Sequence, residues 1–242
     1  FINHEGTKKL LDLCNIANIK KFIYMSSCAV YGKNDNFVSE ISAVNPLTTY
    51  SKSKILNEEY IINSNFNFET IILRNATVFG YSKNLRLDLV INELVYEAFF
   101  NSSIVLNSDG TPLRPFVHVG DLVQIINLII RSDNNMDKQI VNVGSKKLNY
   151  SIKEIAIKIA NKLDIKNIAY GKKDPDQRSY KVDFSKFERF FPEYHFEFDL
   201  DNGIDELIKN YEVHNFDLNA YRLKKIKYLM GENIVDKELK FI

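Results

Sequence analysis

Apolar residues recur along the first eighty positions in two alternating rhythms. Between Gly6 and Ala17, Leu10, Leu11, Leu13, Cys14 and Ala17 fall at helical spacing, and Lys20-Lys21 then open the unbroken apolar run Phe22-Ile23-Tyr24-Met25. The first segment predicts a helix and the second a buried strand. The strand stops at Ser26-Ser27, a loop carrying Gly32, Asn34, Asp35 and Asn36 runs on to Pro46, and Tyr50 to Ser64 has the composition of a helix. A second apolar strand, Glu69 to Arg74, ends in Asn75-Ala76-Thr77. Strands apolar enough to be covered on both faces, alternating with helices, predict a parallel α/β sheet.

After Gly80 the texture changes. Leu87 to Phe100 reads as a helix, Ile104-Val105-Leu106 as a short strand, Asp109-Gly110 as a turn, and Phe116 to Val119 as a strand leading into a helix from Asp121. Gln139 to Val143 is a further strand, closed by Gly144. Ser151-Ile152-Lys153-Glu154 is a capping box and predicts a helix from Ile152 to Leu163. Gly171 to Ser179 reads as a solvated loop, Asn202 to Tyr211 as a short helix, and Asn219 to Met230 as a last amphipathic helix stopped at Gly231. The two textures interleave, so a smaller lobe is expected to pack on the sheet.

Composition narrows the function classes. With 32 basic against 31 acidic residues in 242 and a net charge of +1, the chain has no field for bulk nucleic-acid binding. Its longest apolar stretch, Leu122 to Ile130, is interrupted by Gln124 and Asn127, which predicts a helix packed in protein and no membrane partner. Two cysteines, Cys14 and Cys28, without a CxxC pair, argue against a disulfide scaffold or a zinc site and fit a cytoplasmic protein. The chain opens at Phe1 inside a helical pattern, with no initiator Met and no signal-peptide pattern, and reads as a piece whose front is missing.

The sharpest chemical pattern is Tyr50-Ser51-Lys52-Ser53-Lys54 near a helix start. Positions i and i+4 share a helix face, so the phenol and the ammonium point into the same space. A fixed cation favours the phenolate and makes a tyrosine a working acid/base, while a serine hydroxyl at the end of the preceding strand can bind the same substrate oxygen. Such a group would deprotonate an alcohol while a hydride leaves its carbon. Lys52 reads as surface charge, His118 as a structural histidine within an apolar strand, Cys14 as core, and Phe99-Phe100 and Phe190-Phe191 as packing aromatics.

Five motifs in order carry a resemblance. They are Asn3-x-x-Gly6-Thr7, Ser26-Ser27-Cys28-Ala29-Val30-Tyr31-Gly32, Tyr50-x-x-x-Lys54, Leu73-Arg74-Asn75-Ala76-Thr77-Val78-Phe79-Gly80, and Arg114-Pro115-Phe116-Val117-His118-Val119-x-Asp121-Leu122. Together they resemble the extended short-chain dehydrogenase/reductases that act on nucleotide sugars, the NAD(P)-dependent epimerase/dehydratase family. The resemblance implies the C-terminal part of a Rossmann-type doubly wound parallel sheet with a smaller interleaved α+β substrate-binding lobe. Residues 1–80 would be the catalytic half of the Rossmann domain, 81–216 mainly the lobe with returning Rossmann elements, and 217–242 a helical tail.

The resemblance also assigns roles. Ser27, Tyr50 and Lys54 match the catalytic triad: Ser27 holds the substrate oxygen, Tyr50 is the general acid/base, and Lys54 binds the nicotinamide ribose. Asn3, Ser26, Asn75 and Ala76 join Tyr50 and Lys54 as cofactor-binding positions, although Ser26 also reads as structural. Thr77, Asn92, Arg114 and Arg178 join Ser27 as substrate-binding positions, the two arginines facing the pyrophosphate. The implied cofactor is NAD, with NADP possible, and no metal is implied. The implied partners are a nucleotide sugar and a second copy in a homodimer, for which Ile55, Ile61 and Ile62 are candidate contacts unless they pack on their own sheet.

Departures from the family pattern sharpen the expected reaction. Members that dehydrate or decarboxylate carry an acidic residue just after the catalytic Ser/Thr, where this chain has Cys28 and Ala29. Members that epimerise C3 and C5 use a cysteine that aligns with Ala29, leaving Cys28 one residue out of register, and no histidine lies in Tyr81 to Arg86 to partner it. A 4-epimerase remains, with a 4-ketosugar reductase as the alternative and a truncated, non-catalytic sugar-binding remnant as the alternative of another class. The nine glycines, at 6, 32, 80, 110, 120, 144, 171, 203 and 231, form no glycine-rich dinucleotide turn. That turn is expected upstream of Phe1.

Overall fold

The structure, a computed structural model, describes residues 2–171, 178–213 and 230–232. Ile2–Gly6 forms a single π-type turn that runs into helix α1 (Thr7–Ile16), and strand β1 (Lys21–Ser27) follows. A short 3₁₀ turn, Cys28–Tyr31, leads to strand β2 (Lys33–Val38), then to helix α2 (Thr49–Asn63), strand β3 (Glu69–Asn75) and strand β4 (Thr77–Phe79). The next stretch holds helix α3 (Val90–Asn101), strands β5 (Ile104–Leu106) and β6 (Leu113–His118), helix α4 (Val119–Arg131) and strand β7 (Gln139–Val143). Strand β8 (Asn149–Ser151), helix α5 (Ile152–Lys162), strands β9 (Ile168–Tyr170) and β10 (Ser179–Val182), and helices α6 (Ser185–Phe190) and α7 (Leu200–Val213) complete the order.

The central sheet is parallel, in the order β1-β3-β7, with Ser26 opposite Arg74, Ser27 opposite Asn75, and Asn75 opposite Val143. Side chains alternate across its faces. Tyr24 and Ile72 pack with Leu11 of α1 and Ile61 of α2 on one face, whereas Ile71, Leu73, Val141 and Val143 meet Ile125 and Ile129 of α4 on the other. Helices on both faces of a parallel sheet make this the Rossmann-type arrangement expected from the chain. Of the isoleucines considered for an outward contact, Ile61 is fully buried, whereas Ile62 and Ile55 are partly buried, Ile62 packing beside it and Ile55 against the opposite cluster.

A separate apolar interior binds α3, α5 and α7 to β5, β9, Phe79 and Phe116, with Ile91, Val95, Ile155, Ile159, Ile204 and Leu207 at its centre. It is the smaller lobe, and it interleaves with elements of the first core along the chain.

Several boundaries differ from the sequence reading. Lys33–Val38 is a strand, not a loop, because it pairs in parallel with β10, whose Tyr180 and Val182 point inward. The sequence Lys-Asn-Asp-Asn-Phe-Val has no alternation to announce this; the partner strand supplies the order. Helix α3 starts at Val90 rather than Leu87, since Leu87 and Asp88 form a turn in which the Arg86 guanidinium donates to the Asp88 carboxylate at 3.0 and 2.5 Å. The strand expected at Phe116 to Val119 begins earlier and ends at His118, which caps α4 by accepting from the Gly120 N–H. Of the expected loop Gly171 to Ser179, residues 172–177 lie outside the described residues, and Ser179 opens β10. Of the expected helix Asn219 to Met230, only Met230 is described; it is helical, as is Gly231.

Two glycines are set by the chain's path. Gly32 has φ +67° where the chain folds back so that Asn45 N–H donates to the Val30 carbonyl at 2.9 Å. Gly80 has φ +107° and lies against the His118 ring, where a Cβ would collide with the imidazole.

Candidate active site

A cleft of about 940 Å³ lies between the C-terminal ends of the parallel strands and the lobe. Its sheet-side wall includes Ser27, Ala29, Tyr50, Lys54, Asn75 and Thr77; its lobe side includes Arg86, Glu93, Ser108, Arg114, Arg178 and Tyr180. Ligands of open α/β sheets bind at this end of the strands.

Each sheet-side residue is delivered by a local cause. Ser27 ends β1 and, as cap of the 3₁₀ turn that follows, accepts the Ala29 N–H at 3.2 Å, which leaves its own O–H to donate into the cleft. Tyr50 sits in the first turn of α2, whose start is fixed by a capping box: Thr48 accepts from Ser51 N–H and Ser51 accepts from Thr48 N–H, both at 3.1 Å. One turn on, Lys54 reaches over the strand end and donates to the Met25 carbonyl at 2.7 Å. Its ammonium lies 5.4 Å from the centre of the Tyr50 ring and 4.9 Å from that of Tyr24. Burial pulls the Lys54 amine below its ordinary range, and the nearby Glu58 carboxylate opposes that pull.

Asn75 donates from Nδ2 to the Ser26 carbonyl at 3.2 Å, while its Oδ1 is buried without a hydrogen-bond partner. Ala76 follows it on the wall, its N–H donating to the Val143 carbonyl at 2.8 Å, and Thr77 is half-buried at the start of β4. Arg114, on β6, donates to its own neighbour Leu113 at 2.9 Å and to the Arg178 carbonyl, and stacks 5.7 Å from the Tyr180 ring. The two arginines thus stand on one rim.

Three of the expected site residues have other engagements. The Ser26 side chain points away from the cleft, into α2, where it donates to Glu58; only its backbone is available to a ligand at the strand end. Asn92 lies behind the wall: its Oδ1 accepts from Gly80 N–H at 3.0 Å and its Nδ2 donates to the Arg86 carbonyl at 3.1 Å, so it shapes the loop between them. Asn3 stands beside the sheet, its carbonyl accepting from Asn57 Nδ2 at 2.6 Å, and does not line the cleft. His118 is structural: its ring stacks on Phe198 at 3.6 Å between centroids and its Nε2 pairs with Glu206 at 2.9 Å.

Sequence reasoning passed over the layer beneath. Glu58 and Arg74, 3% and 4% exposed, form a bidentate pair directly under the strand ends. The signal was present: Glu58 follows Lys54 by four residues on the same helix face, and a charge closing the apolar run Ile71-Ile72-Leu73 needs a buried partner.

Residues 1–144 match the NAD dependent epimerase/dehydratase family. Over 214 residues, 86% of the chain, it is 31% identical to a putative UDP-glucose 4-epimerase of Methanocaldococcus jannaschii and covers 68% of it. It is 27% identical over 174 residues to a dTDP-D-glucose 4,6-dehydratase of Dictyostelium discoideum, there covering 66% of the chain and 39% of the relative. Among solved structures, a UDP-glucuronic acid 4-epimerase from Bacillus cereus in complex with UDP-glucuronic acid and NAD superposes with a TM-score of 0.77 at 25% identity, covering 88% of this chain and 68% of that one. With the fold, the motifs and the family match in agreement, the chain belongs to the NAD dependent epimerase/dehydratase family of nucleotide-sugar enzymes.

Proposed function

We propose that this chain carries the acid/base centre and sugar lobe of an NAD-dependent nucleotide-sugar 4-epimerase. The observation that carries the reading is the convergence of Ser27, Tyr50 and Lys54 on one end of the cleft, with Ala29 as their neighbour there. A methyl group moves no proton, and Cys28 is turned into the core, its thiol donating to the Arg74 carbonyl and pushed far above its ordinary range, first by burial. The second acid/base that dehydration needs has no candidate at those positions. Chemistry at C4 needs only the three.

The residues present suit a nicotinamide. The unmet Asn75 Oδ1 is a buried acceptor in the wall and calls for an N–H donor, which a carboxamide carries. Tyr50, Lys54, Ala76 and the Ser26 backbone frame the same corner. When bound, the dinucleotide supplies the acceptor for the C4 hydride and returns it. Tyr50 takes the O4 proton and gives it back, Ser27 donates to O4, and the Lys54 ammonium stabilises negative charge as it develops on the phenol. Arg114 and Arg178 are the cations for the sugar's pyrophosphate, and Thr77 faces the sugar.

The homodimer implied by the resemblance would use the outer face of α1, where Leu10, Leu13 and Ile16 are exposed, together with Leu56 of α2. The address read from the two cysteines, both free, is cytoplasmic; among the described residues no helix is long and apolar enough to cross a membrane. The test of function is the product formed from a panel of nucleotide hexoses by the protein expressed from its complete reading frame. A C4 epimer without net consumption of NAD(P)H is expected. Stoichiometric NAD(P)H consumption with a 4-ketosugar would instead mark a reductase.

A further inference from the structure

Beneath the cleft floor, four elements and the 3₁₀ turn after β1 meet in one buried polar knot. Arg74 of β3 donates to Glu58 of α2 from Nε at 3.1 and 3.2 Å and from Nη2 at 2.6 Å. The Ser26 hydroxyl of β1 donates to the same carboxylate. On its far side Arg74 donates from Nη1 to the Tyr31 hydroxyl at 3.1 Å, which in turn donates to Asn142 Oδ1 of β7 at 2.7 Å. The strand alternation explains the geometry: Ser26 and Arg74 are register partners and both point toward α2. Ser26 precedes Ser27, Arg74 precedes Asn75, and Glu58 is one turn beyond Lys54. Ser27 and Asn75 are therefore covalently adjacent to members of the knot, and Lys54 is one helical turn from Glu58, with Tyr50 a turn further on.

We propose that Glu58, braced by Arg74 and Ser26, is a positioning residue that fixes where Lys54 and Ser27 stand at the cleft. The proposal rests on the acid/base roles given to those two residues above. Helix α2 bears the tyrosine and the lysine, while the serine belongs to a different element, and only a link between the two can hold them in mutual register to the fraction of an ångström that proton transfer needs. Desolvating a carboxylate and a guanidinium is costly, and a well-packed apolar pair would serve stability as well. Among the described residues, Glu58 is the carboxylate that ties α2 to the strand ends.

The same carboxylate also supplies charge. The titratable groups facing Lys54 are Tyr24 from β1 and Tyr50 and Glu58 from its own helix; those facing Glu58 are Arg74, Lys54, Tyr24 and the buried Cys28, with Tyr31 behind Arg74. Tyr24 is pushed up to about 12, chiefly by burial, so it stays neutral. Glu58 is then the anion that opposes the effect of burial on the half-buried Lys54 ammonium.

The readout is the titration of the Lys54 side chain by ¹³Cε NMR, which requires neither turnover nor cofactor, measured with the thermal midpoint in wild type, Glu58→Gln and Ser26→Ala. Glu58→Gln is expected to move the Lys54 midpoint down by about one pH unit, an about tenfold change in its protonation constant. Ser26→Ala leaves no charge unpaired, keeps the fold, and is expected to shift the Lys54 resonance and lower kcat about tenfold with KM within about threefold. If Glu58→Gln does not fold, Glu58→Asp replaces it: the charge stays, the brace shortens by one methylene, and the same kcat loss at unchanged KM is expected. A Lys54 titration and resonance identical to wild type in the folded variants overturns the proposal. Failure of the acid/base reading shows separately, as turnover retained by Tyr50→Phe.

Discussion

At the sheet end of the cleft, polar groups are buried and held from below: Ser26, Glu58, Arg74 and Asn75 are each less than a tenth exposed, and nearly all their hydrogen-bonding capacity is met. Across the cleft the arrangement is reversed. Asp88 and Arg86 stand about half-exposed, and Glu93 and Glu97 line the opening, over an apolar interior of Ile91, Leu94, Val95 and Phe116, with the buried Arg114 beside it on β6. The first wall holds its charged groups buried in fixed positions; the second carries most of its charges near the surface over hydrocarbon. The difference teaches that substitutions in the buried layer of the first wall should change rate and stability together, while those on the second wall should change affinity.

The largest effect should come from Tyr50. It is 46% exposed, so Tyr50→Phe is expected to leave the melting temperature unchanged while kcat falls by about 10²–10⁴; turnover at the wild-type rate would break the assignment. Next, Arg74→Met strands the Glu58 carboxylate in the core. Urea denaturation should find it about 3–5 kcal/mol less stable, against less than about 1 kcal/mol for Lys158→Ala, which opens the surface pair to Asp201 on the lobe. Equal costs would erase the contrast between the walls. For Arg114→Ala, loss of a charge-assisted contact to phosphate predicts a KM for the nucleotide sugar raised about 10- to 100-fold with kcat little changed; a pure kcat effect would move Arg114 to the chemical step.

The smallest effect is a pH dependence in the lobe. Burial pushes the Glu206 carboxyl up, but hydrogen bonds from His118 and from the Tyr81 N–H outweigh it and hold the group below the ordinary glutamate range. Its contribution to stability is therefore complete above the unfolded glutamate value and is lost as pH falls through the depressed one. Wild type and Glu206→Gln should differ in urea midpoint at neutral pH and converge in acid; a gap that widens in acid would reverse the sign.

Much of this was legible in the chain. Unbroken apolar runs such as Phe22 to Met25 announce buried strands, and the Tyr50–Lys54 spacing puts both groups on one helix face because helical geometry leaves no other choice. What could not be read depends on partners distant in sequence. Strand β2 is polar and exists through its pairing with β10. Asn92 carries a motif position yet spends its amide on Gly80 and Arg86, a contact that the turn at Leu87 and Asp88 creates. That Arg74 needs a buried partner can be read from the strand, but that Glu58 and Ser26 meet it follows only from the sheet register that brings Ser26 and Arg74 together beneath α2.

The central claim is that Ser27, Tyr50 and Lys54 act on one carbon-oxygen bond of a sugar without a further proton carrier beside them. The most direct test is turnover of a nucleotide hexose deuterated at C4 in H₂O and, in parallel, of the unlabelled sugar in D₂O, with the product read by NMR and mass spectrometry. The account predicts a C4 epimer that keeps its deuterium at C4 and gains no solvent hydrogen at C5 or C6. A 4-keto-6-deoxy product, with the label moved to C6 and a solvent hydrogen at C5, would contradict it.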